Sequence, residues 1–227
     1  MNQMADAAAR LKAAGLYLGG PDHLFDEGGR KQLMILLHHG LTPDSRLLDI
    51  GCGSLRAGHW LIRLLDPDRY YGIEPGFEMV DAGLRALLPA EIVTAKRPRF
   101  DTNRDVDFSV FGARFDYVLA RSIWTHAPKR AILSMLDGFL TNGAPHAVFL
   151  TSFLEPPLPW FDEYRGESWV PPGANVRPGL GNMVRHSFGW IRRACSARGL
   201  RVDRVRNRAF AFGGQTWLAI RRDEAPR

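Results

Sequence analysis

Cysteine is scarce in this chain: there are two in 227 residues, Cys52 and Cys195, in unrelated contexts. Two cannot build a disulfide framework, which excludes a stapled secreted scaffold and favours a reducing cytoplasm. Long apolar runs are missing too, and none approaches the ~20 residues that a membrane span needs. The start, Met1-Asn2-Gln3-Met4-Ala5-Asp6, lacks a basic stretch followed by an apolar one. No secretion signal is read there, and a cytoplasmic location is expected. No group of His, Cys or carboxylates has metal-ligand spacing, so no metal is expected. A G-x-S-x-G elbow that would present a serine nucleophile is also absent. Lysine occurs only at positions 12, 31, 96 and 129, so the net charge of +6 is almost entirely arginine. The densest arginine stretch, from Arg192-Arg193 through Arg198, Arg201, Arg204, Arg206 and Arg208, is interrupted by apolar residues. It lacks the interleaved aromatics of a single-strand platform and reads as a solvated face rather than a nucleic-acid site.

What the chain does have is a composition ordinary for a soluble enzyme, 45% hydrophobic and 24% charged, at a length suited to one well-buried domain. Its most informative stretch is Arg46-Leu47-Leu48-Asp49-Ile50-Gly51-Cys52-Gly53-Ser54-Leu55-Arg56. A short apolar run ends in an acid, two glycines follow one residue apart, and then a helical pattern begins. A parallel strand delivers a turn free of side chains to a nucleotide pocket in this way. Tyr70-Tyr71-Gly72-Ile73-Glu74 repeats the layout, placing a second strand-tip acid where it can accept both hydroxyls of an unmodified ribose. The turn departs from G-x-G-x-x-G, because Arg56 stands where the third glycine would be. That departure, with an acid two residues before Gly51, suits a cationic ligand better than a pyrophosphate.

Periodicity predicts helices over 4–14, 24–39, 55–65, 77–88, 129–140 and 184–198, and strands over 46–50, 70–74, 91–95, 115–120 and 146–152. Strands separated by helices mean βαβ units and a mainly parallel sheet. The last two strands, 201–208 and 215–221, are joined by Phe210-Ala211-Phe212-Gly213-Gly214 with no helix between, so they can only be antiparallel. The rhythm fails over 155–183, which holds six prolines together with Trp160, Phe161, Tyr164 and Trp169. So much aromatic surface seeks burial, which marks the segment as an inserted lid. The expected organisation is a helical cover over 1–45 and one globular α/β domain over 46–227.

Leu48-Asp49-Ile50-Gly51-Cys52-Gly53, Tyr71-Gly72-Ile73-Glu74 and Phe115-Asp116-Tyr117-Val118-Leu119-Ala120-Arg121-Ser122 occur in that order. With the strand at 146–152 and the terminal hairpin, they resemble the class I S-adenosylmethionine-dependent methyltransferases over roughly residues 40–222. Phe25-Asp26-Glu27-Gly28-Gly29-Arg30-Lys31-Gln32 and Gly51-Cys52-Gly53-Ser54-Leu55-Arg56 together resemble a bacterial small-molecule subgroup. The resemblance implies a Rossmann-like sheet of seven strands, mostly parallel with the last reversed, and helices on both faces. It implies S-adenosylmethionine as cofactor. Gly51 and Gly53, with Cys52 between them, would leave room for its methionine part, and Asp49 would favour its ammonium, directly or through water. Glu74 would hold the ribose, Asp105 the adenine amino group with Val106 or Phe108 against the ring, and Arg121 would line the methionine end.

His126, in Ser122-Ile123-Trp124-Thr125-His126-Ala127-Pro128, lies at the strand edge where open α/β sheets bind ligands. It could remove a proton from a hydroxyl or amine acceptor, or it could only orient the turn into the next helix. His186, in Arg185-His186-Ser187-Phe188, is a second base candidate, with a structural role the preferred reading. The expected activity is methyl transfer to an oxygen or nitrogen of a small-molecule acceptor, with no membrane partner. A nucleic-acid (RNA) methyltransferase and a non-catalytic cofactor-binding protein are the alternatives.

Overall fold

The computed structural model describes residues 3–16, 22–158, 163–171, 173–176 and 180–223. Trp160 and Phe161, two of the four aromatics of the expected lid, lie outside these residues. Seven strands form one sheet in the order β3-β2-β1-β4-β5-β7-β6, and the chain divides into two compact units, Met1–Arg104 and Asp105–Arg227.

The first unit contains α1 (Gln3–Ala13), α2 (Phe25–His38), β1 (Leu47–Ile50), α3 (Gly58–Leu64), β2 (Tyr70–Ile73), α4 (Phe77–Leu87), α5 (Ala90–Lys96) and β3 (Arg99–Asp101). Every residue of β1 and β2 is buried. Apolar runs without polar alternation are what a parallel strand covered on both faces requires. β1 pairs with β2 and β2 with β3, all parallel. α1 packs on α4, and α2 on α3. Close backbone approach extends to α2, where a Cβ at Gly29 would collide with the Arg56 carbonyl oxygen. The Phe25 ring lies under the Arg56 guanidinium at 5.2 Å and stacks on His59 at 6.4 Å. The two segments that carry the subgroup likeness are therefore in direct contact.

One element differs from expectation. Residues 91–95 are not a strand but lie within α5, and the third strand is Arg99–Asp101. The Ile92-Val93 pair imitates a strand in sequence. However, Pro89 opens a helix there, Glu91 sits in its first turn, and no residue of α5 is buried. Nothing therefore holds the β-branched pair extended. The sheet takes instead three partly exposed residues with no apolar signature.

The second unit contains β4 (Phe115–Ala120), α6 (Lys129–Asn142), β5 (Gly143–Phe153), α7 (Phe188–Ser196), β6 (Leu200–Val205) and β7 (Thr216–Arg222). β4 and β5 are parallel, while β7 runs antiparallel to both β5 and β6 and is the reversed strand. Its core joins Val118, Leu119, Phe149, Leu150, Leu218 and Ile220 to Ile132, Met135 and Leu136 of α6, all fully buried. Each such side chain contributes about 1.5–3 kcal/mol relative to exposure. α7 starts at Phe188, four residues later than expected, because the Ser187 hydroxyl accepts the Trp190 amide at 3.2 Å and caps it there. No helix among the described residues is long and apolar enough to cross a membrane.

Candidate functional site

In the first unit the turn after β1 brings five of the expected residues together. Gly51, Gly53 and Leu55 take positive φ of 67°, 52° and 61°. Repeated left-handed geometry is the reason that glycine recurs there, since a side chain resists it. The winding turns the Gly53 amide toward the tip of β2, where it donates to Glu74 Oε2 at 3.0 Å. Glu74 Oε1 accepts the Gly76 amide, also at 3.0 Å. Both carboxylate oxygens are thus fixed by backbone donors and each keeps a lone pair for a further donor. Glu74 is only half-buried, and Cys52 is buried between the two glycines with its thiol pushed well above its usual pKa by burial.

Asp49 is 4% exposed, and its Oδ2 accepts the Tyr70 hydroxyl at 2.8 Å. Burial raises its pKa to about 7, against the lowering effect of the Tyr70 hydrogen bond. Its Oδ1 takes no hydrogen bond from a described residue. A buried carboxyl with one oxygen committed and one open has an incentive to meet a cation, which would replace the solvation it has lost.

In the second unit, Asp105 is exposed and Val106 is buried with a positive φ of 55°. A β-branched residue rarely adopts that conformation, and such strain tends to gather at functional positions. Asp107 caps the following turn, its Oδ1 accepting the Ser109 amide at 2.8 Å. Arg121, at the end of β4, donates to Ser152 Oγ at 2.8 Å, to the Phe212 carbonyl at 2.6 Å and to Gln215 Oε1. Its guanidinium lies near the rings of Phe212 and Trp217, at 5.6 and 5.3 Å. These contacts make it a tie between β4 and the β6–β7 connection.

His126 is half-buried, and its Nδ1 lies 2.9 Å from the Asn182 carbonyl. A carbonyl can only accept, so Nδ1 carries the proton and Nε2 presents its lone pair. Burial lowers the pKa of this imidazole, which keeps it neutral at neutral pH. The segment that holds Asn182 is pinned nearby: the Val170 amide donates to the His126 carbonyl and the Val184 amide to the Thr125 carbonyl, at 2.9 and 2.7 Å. His186 is fully buried, donates through Nε2 to the Ala127 carbonyl at 3.1 Å and has its pKa lowered to about 4 by burial. Its ring is part of the core. Among the described residues no group of His, Cys, Asp and Glu could hold a metal ion.

No family model matches the chain, and no curated protein matches its sequence. Solved structures do. The DhpI–SAH complex superposes with a TM-score of 0.61 at 15% identity, over 99% of this chain and 96% of that one. Magnesium protoporphyrin IX methyltransferase (ChlM) from Synechocystis PCC 6803, with SAH bound, gives 0.57 at 18% identity over 95% and 93%. The glycopeptide N-methyltransferase MtfA gives 0.61 at 13% identity over 86% and 90%. The fold is that of the class I methyltransferases.

Within this methyltransferase fold, three partners of the expected site residues carry no local sequence signal. Tyr70 reaches Asp49 because β1 and β2 pair Leu47 with Tyr70 and Asp49 with Gly72, which places both side chains on one face of the sheet. Asn182 and Gln215 meet His126 and Arg121 across 56 and 94 residues of sequence. Asp49, Gly51, Gly53 and Glu74, by contrast, are marked locally as acids and glycines at strand ends.

Proposed function

We propose that this protein is an S-adenosylmethionine-dependent methyltransferase acting on an oxygen or nitrogen of a small-molecule acceptor. The observation that carries the reading is the bond from the Gly53 amide to Glu74, which joins the turn after β1 to the acid at the tip of β2. That arrangement fits an adenosine ligand, since Glu74 keeps lone pairs for two ribose hydroxyls beside a backbone with no side chains in the way. The open Oδ1 of Asp49 fits the ammonium of the methionine part. Gly51, Cys52 and Gly53 would border that part. Asp105 would accept from the adenine amino group, and the strained Val106 would pack on the ring. Arg121 would act on the methionine side through its stem, its charged head being held by the hairpin.

The cofactor, when bound, supplies an electrophilic methyl carbon on a positively charged sulfur. The work of the chain is then alignment and exclusion of water, which can be worth several kcal/mol without a base. His126 would take the proton of a hydroxyl acceptor at Nε2, with Nδ1–H held by the Asn182 carbonyl. Residues 1–45 would form a cover, and the 155–183 insertion a lid over the acceptor. The small-molecule reading is supported by the way the arginines are spent: Arg198 pairs with Asp137, Arg204 with Glu155, and Arg222 donates to the Leu140 carbonyl. A nucleic-acid surface needs such charges facing outward.

Calorimetry with S-adenosylhomocysteine tests the proposal. Micromolar binding by the wild type and at least a tenfold loss in Glu74→Ala are expected. No binding by the wild type, or equal affinity in the variant, would overturn it.

A further inference from the structure

Tyr70 stands apart among the buried residues of β2, because its hydroxyl needs a slot and the chain provides one. A Cβ at position 58 would lie 2.7 Å from Tyr70 Oη, so Gly58 at the start of α3 leaves the space that the hydroxyl occupies. From there Tyr70 donates to Asp49 Oδ2 at 2.8 Å, with 2% of the tyrosine and 4% of the aspartate exposed. A tyrosine at this depth could have been phenylalanine, were packing its only task. We propose that Tyr70 is a positioning residue for the cofactor's charged end: its hydroxyl, seated in the slot at Gly58, holds Asp49 with Oδ1 turned out to receive an aliphatic ammonium. This rests on the reading of Asp49 as the ammonium acceptor and adds the group that orients and tunes it.

The consequence is a coupling between proton and ligand. The titratable groups that act on Asp49 are Tyr70 from β2, Cys52 from the turn and Glu74 at the tip of β2. Tyr70 stays protonated, since burial and the neighbouring Asp49 push its pKa well above the usual value, so it donates at every working pH. Glu74 and burial oppose ionisation of Asp49, and the Tyr70 hydrogen bond is the one contribution favouring it. Affinity for an ammonium ligand should therefore rise with pH as Asp49 ionises. Removing the hydroxyl should move that rise to higher pH by about one unit, the equivalent of a hydrogen bond to a charged group.

The experiment is calorimetry of S-adenosylhomocysteine binding from pH 5.5 to 8.5 for wild type, Tyr70→Phe and Asp49→Asn. In parallel, the Asp49 carboxyl carbon is titrated by NMR in the ligand-free wild type and Tyr70→Phe. Wild-type affinity is expected to rise through the neutral range. Tyr70→Phe should lose about tenfold at pH 7, recover most of it by pH 8.5, and show a correspondingly higher carboxyl midpoint. Asp49→Asn should bind weakly with no such rise. A uniform loss in Tyr70→Phe at all pH values, or carboxyl midpoints equal in both proteins, would overturn the proposal while leaving the cofactor reading intact. No binding by the wild type at any pH would overturn both. Should Tyr70→Phe not fold, the wild-type carboxyl titration still decides: an Asp49 midpoint at the ordinary value near 4 refutes the coupling.

Discussion

Replacing Asp49 by asparagine should make the ligand-free protein more stable at pH 8 while weakening its grip on S-adenosylhomocysteine. Asp49 has its pKa raised from 3.8 to about 7, chiefly because burial penalises the charge. Between those values the native state holds a proton that the unfolded chain has released. Stability is therefore lost as pH rises through that window and is level above it. The shift is roughly three units at 1.36 kcal/mol each, so the buried charge costs up to about 4 kcal/mol at pH 8. Asparagine is close in shape to the protonated acid and can still accept from Tyr70, so it removes the charge and little else. Two buried histidines run the other way. His59 and His186 are each lowered from 6.5 to about 4 by burial, so they add stability as pH climbs from 4 to 6.5. The wild-type curve mixes these slopes, but the difference between wild type and Asp49→Asn isolates Asp49. Urea unfolding at pH 5, 6, 7 and 8 measures it. The gap should be about 1–2 kcal/mol at pH 5 and widen to about 4 kcal/mol at pH 8. Parallel curves would refute the reasoning.

Glu74→Gln should weaken adenosine and S-adenosylhomocysteine alike, by about tenfold in calorimetry, whereas Asp49→Asn should spare adenosine, which has no ammonium. In a screen of labelled-methyl transfer to hydroxyl and amine metabolites, His126→Ala should slow a hydroxyl acceptor by about 10²–10⁴ while leaving S-adenosylhomocysteine affinity unchanged. Because burial lowers the His126 pKa, the wild-type rate on that acceptor at saturating cofactor should hold through neutral pH and fall only in acid. Arg121→Met should cost about 2 kcal/mol in urea unfolding and speed amide exchange over 212–216, since the Phe212 carbonyl loses the guanidinium as donor while Ser152 Oγ and Gln215 Oε1 keep only the Ser122 amide and Ser152 Oγ, respectively. Unchanged exchange there would mean that the guanidinium holds nothing.

The strands that form the interior of the sheet were legible because burial on both faces leaves a continuous apolar run, as in Leu47–Ile50, Phe115–Ala120 and the centre of Gly143–Phe153. β3 was not, because Arg99–Asp101 is partly exposed and three residues long, so neither period nor hydrophobicity marks it. Its place in the sequence reading was taken by Ile92-Val93, whose strand preference is overruled by a helix start at Pro89. The site follows the same division. Asp49, Gly51, Gly53 and Glu74 are local features of strand ends, and the chain announces them. Tyr70 becomes a partner of Asp49 only through the β1–β2 register. Asn182 becomes a partner of His126 only through a segment that no periodicity describes.

That segment also changes what a lid can mean here. Two of its amides and two just beyond its end are donated to backbone carbonyls: Tyr164 to Arg185 and Val170 to His126, then Val184 to Thr125 and His186 to Leu154, at distances of 2.7 to 3.0 Å. Lys129 adds an ion pair to Glu163 at 3.0 Å, and Arg130 donates to the Glu167 carbonyl. A flap that swung on each turnover would have to break these bonds, and two of their acceptors are His126 and its neighbour Thr125. Opening would thus displace the proposed base itself. The economical arrangement is a fixed cover around His126, with any motion confined elsewhere. Native-state amide exchange separates the two cases. The amides of Val170, Val184 and His186 should be protected at least about a thousandfold, like those of β4 and β5, because their opening requires the neighbourhood of β4 to open with them. Exchange near the rate of an unstructured loop would show that the bonds are made and broken freely. The insertion would then be a moving lid, and His126 would be in place only when it closes.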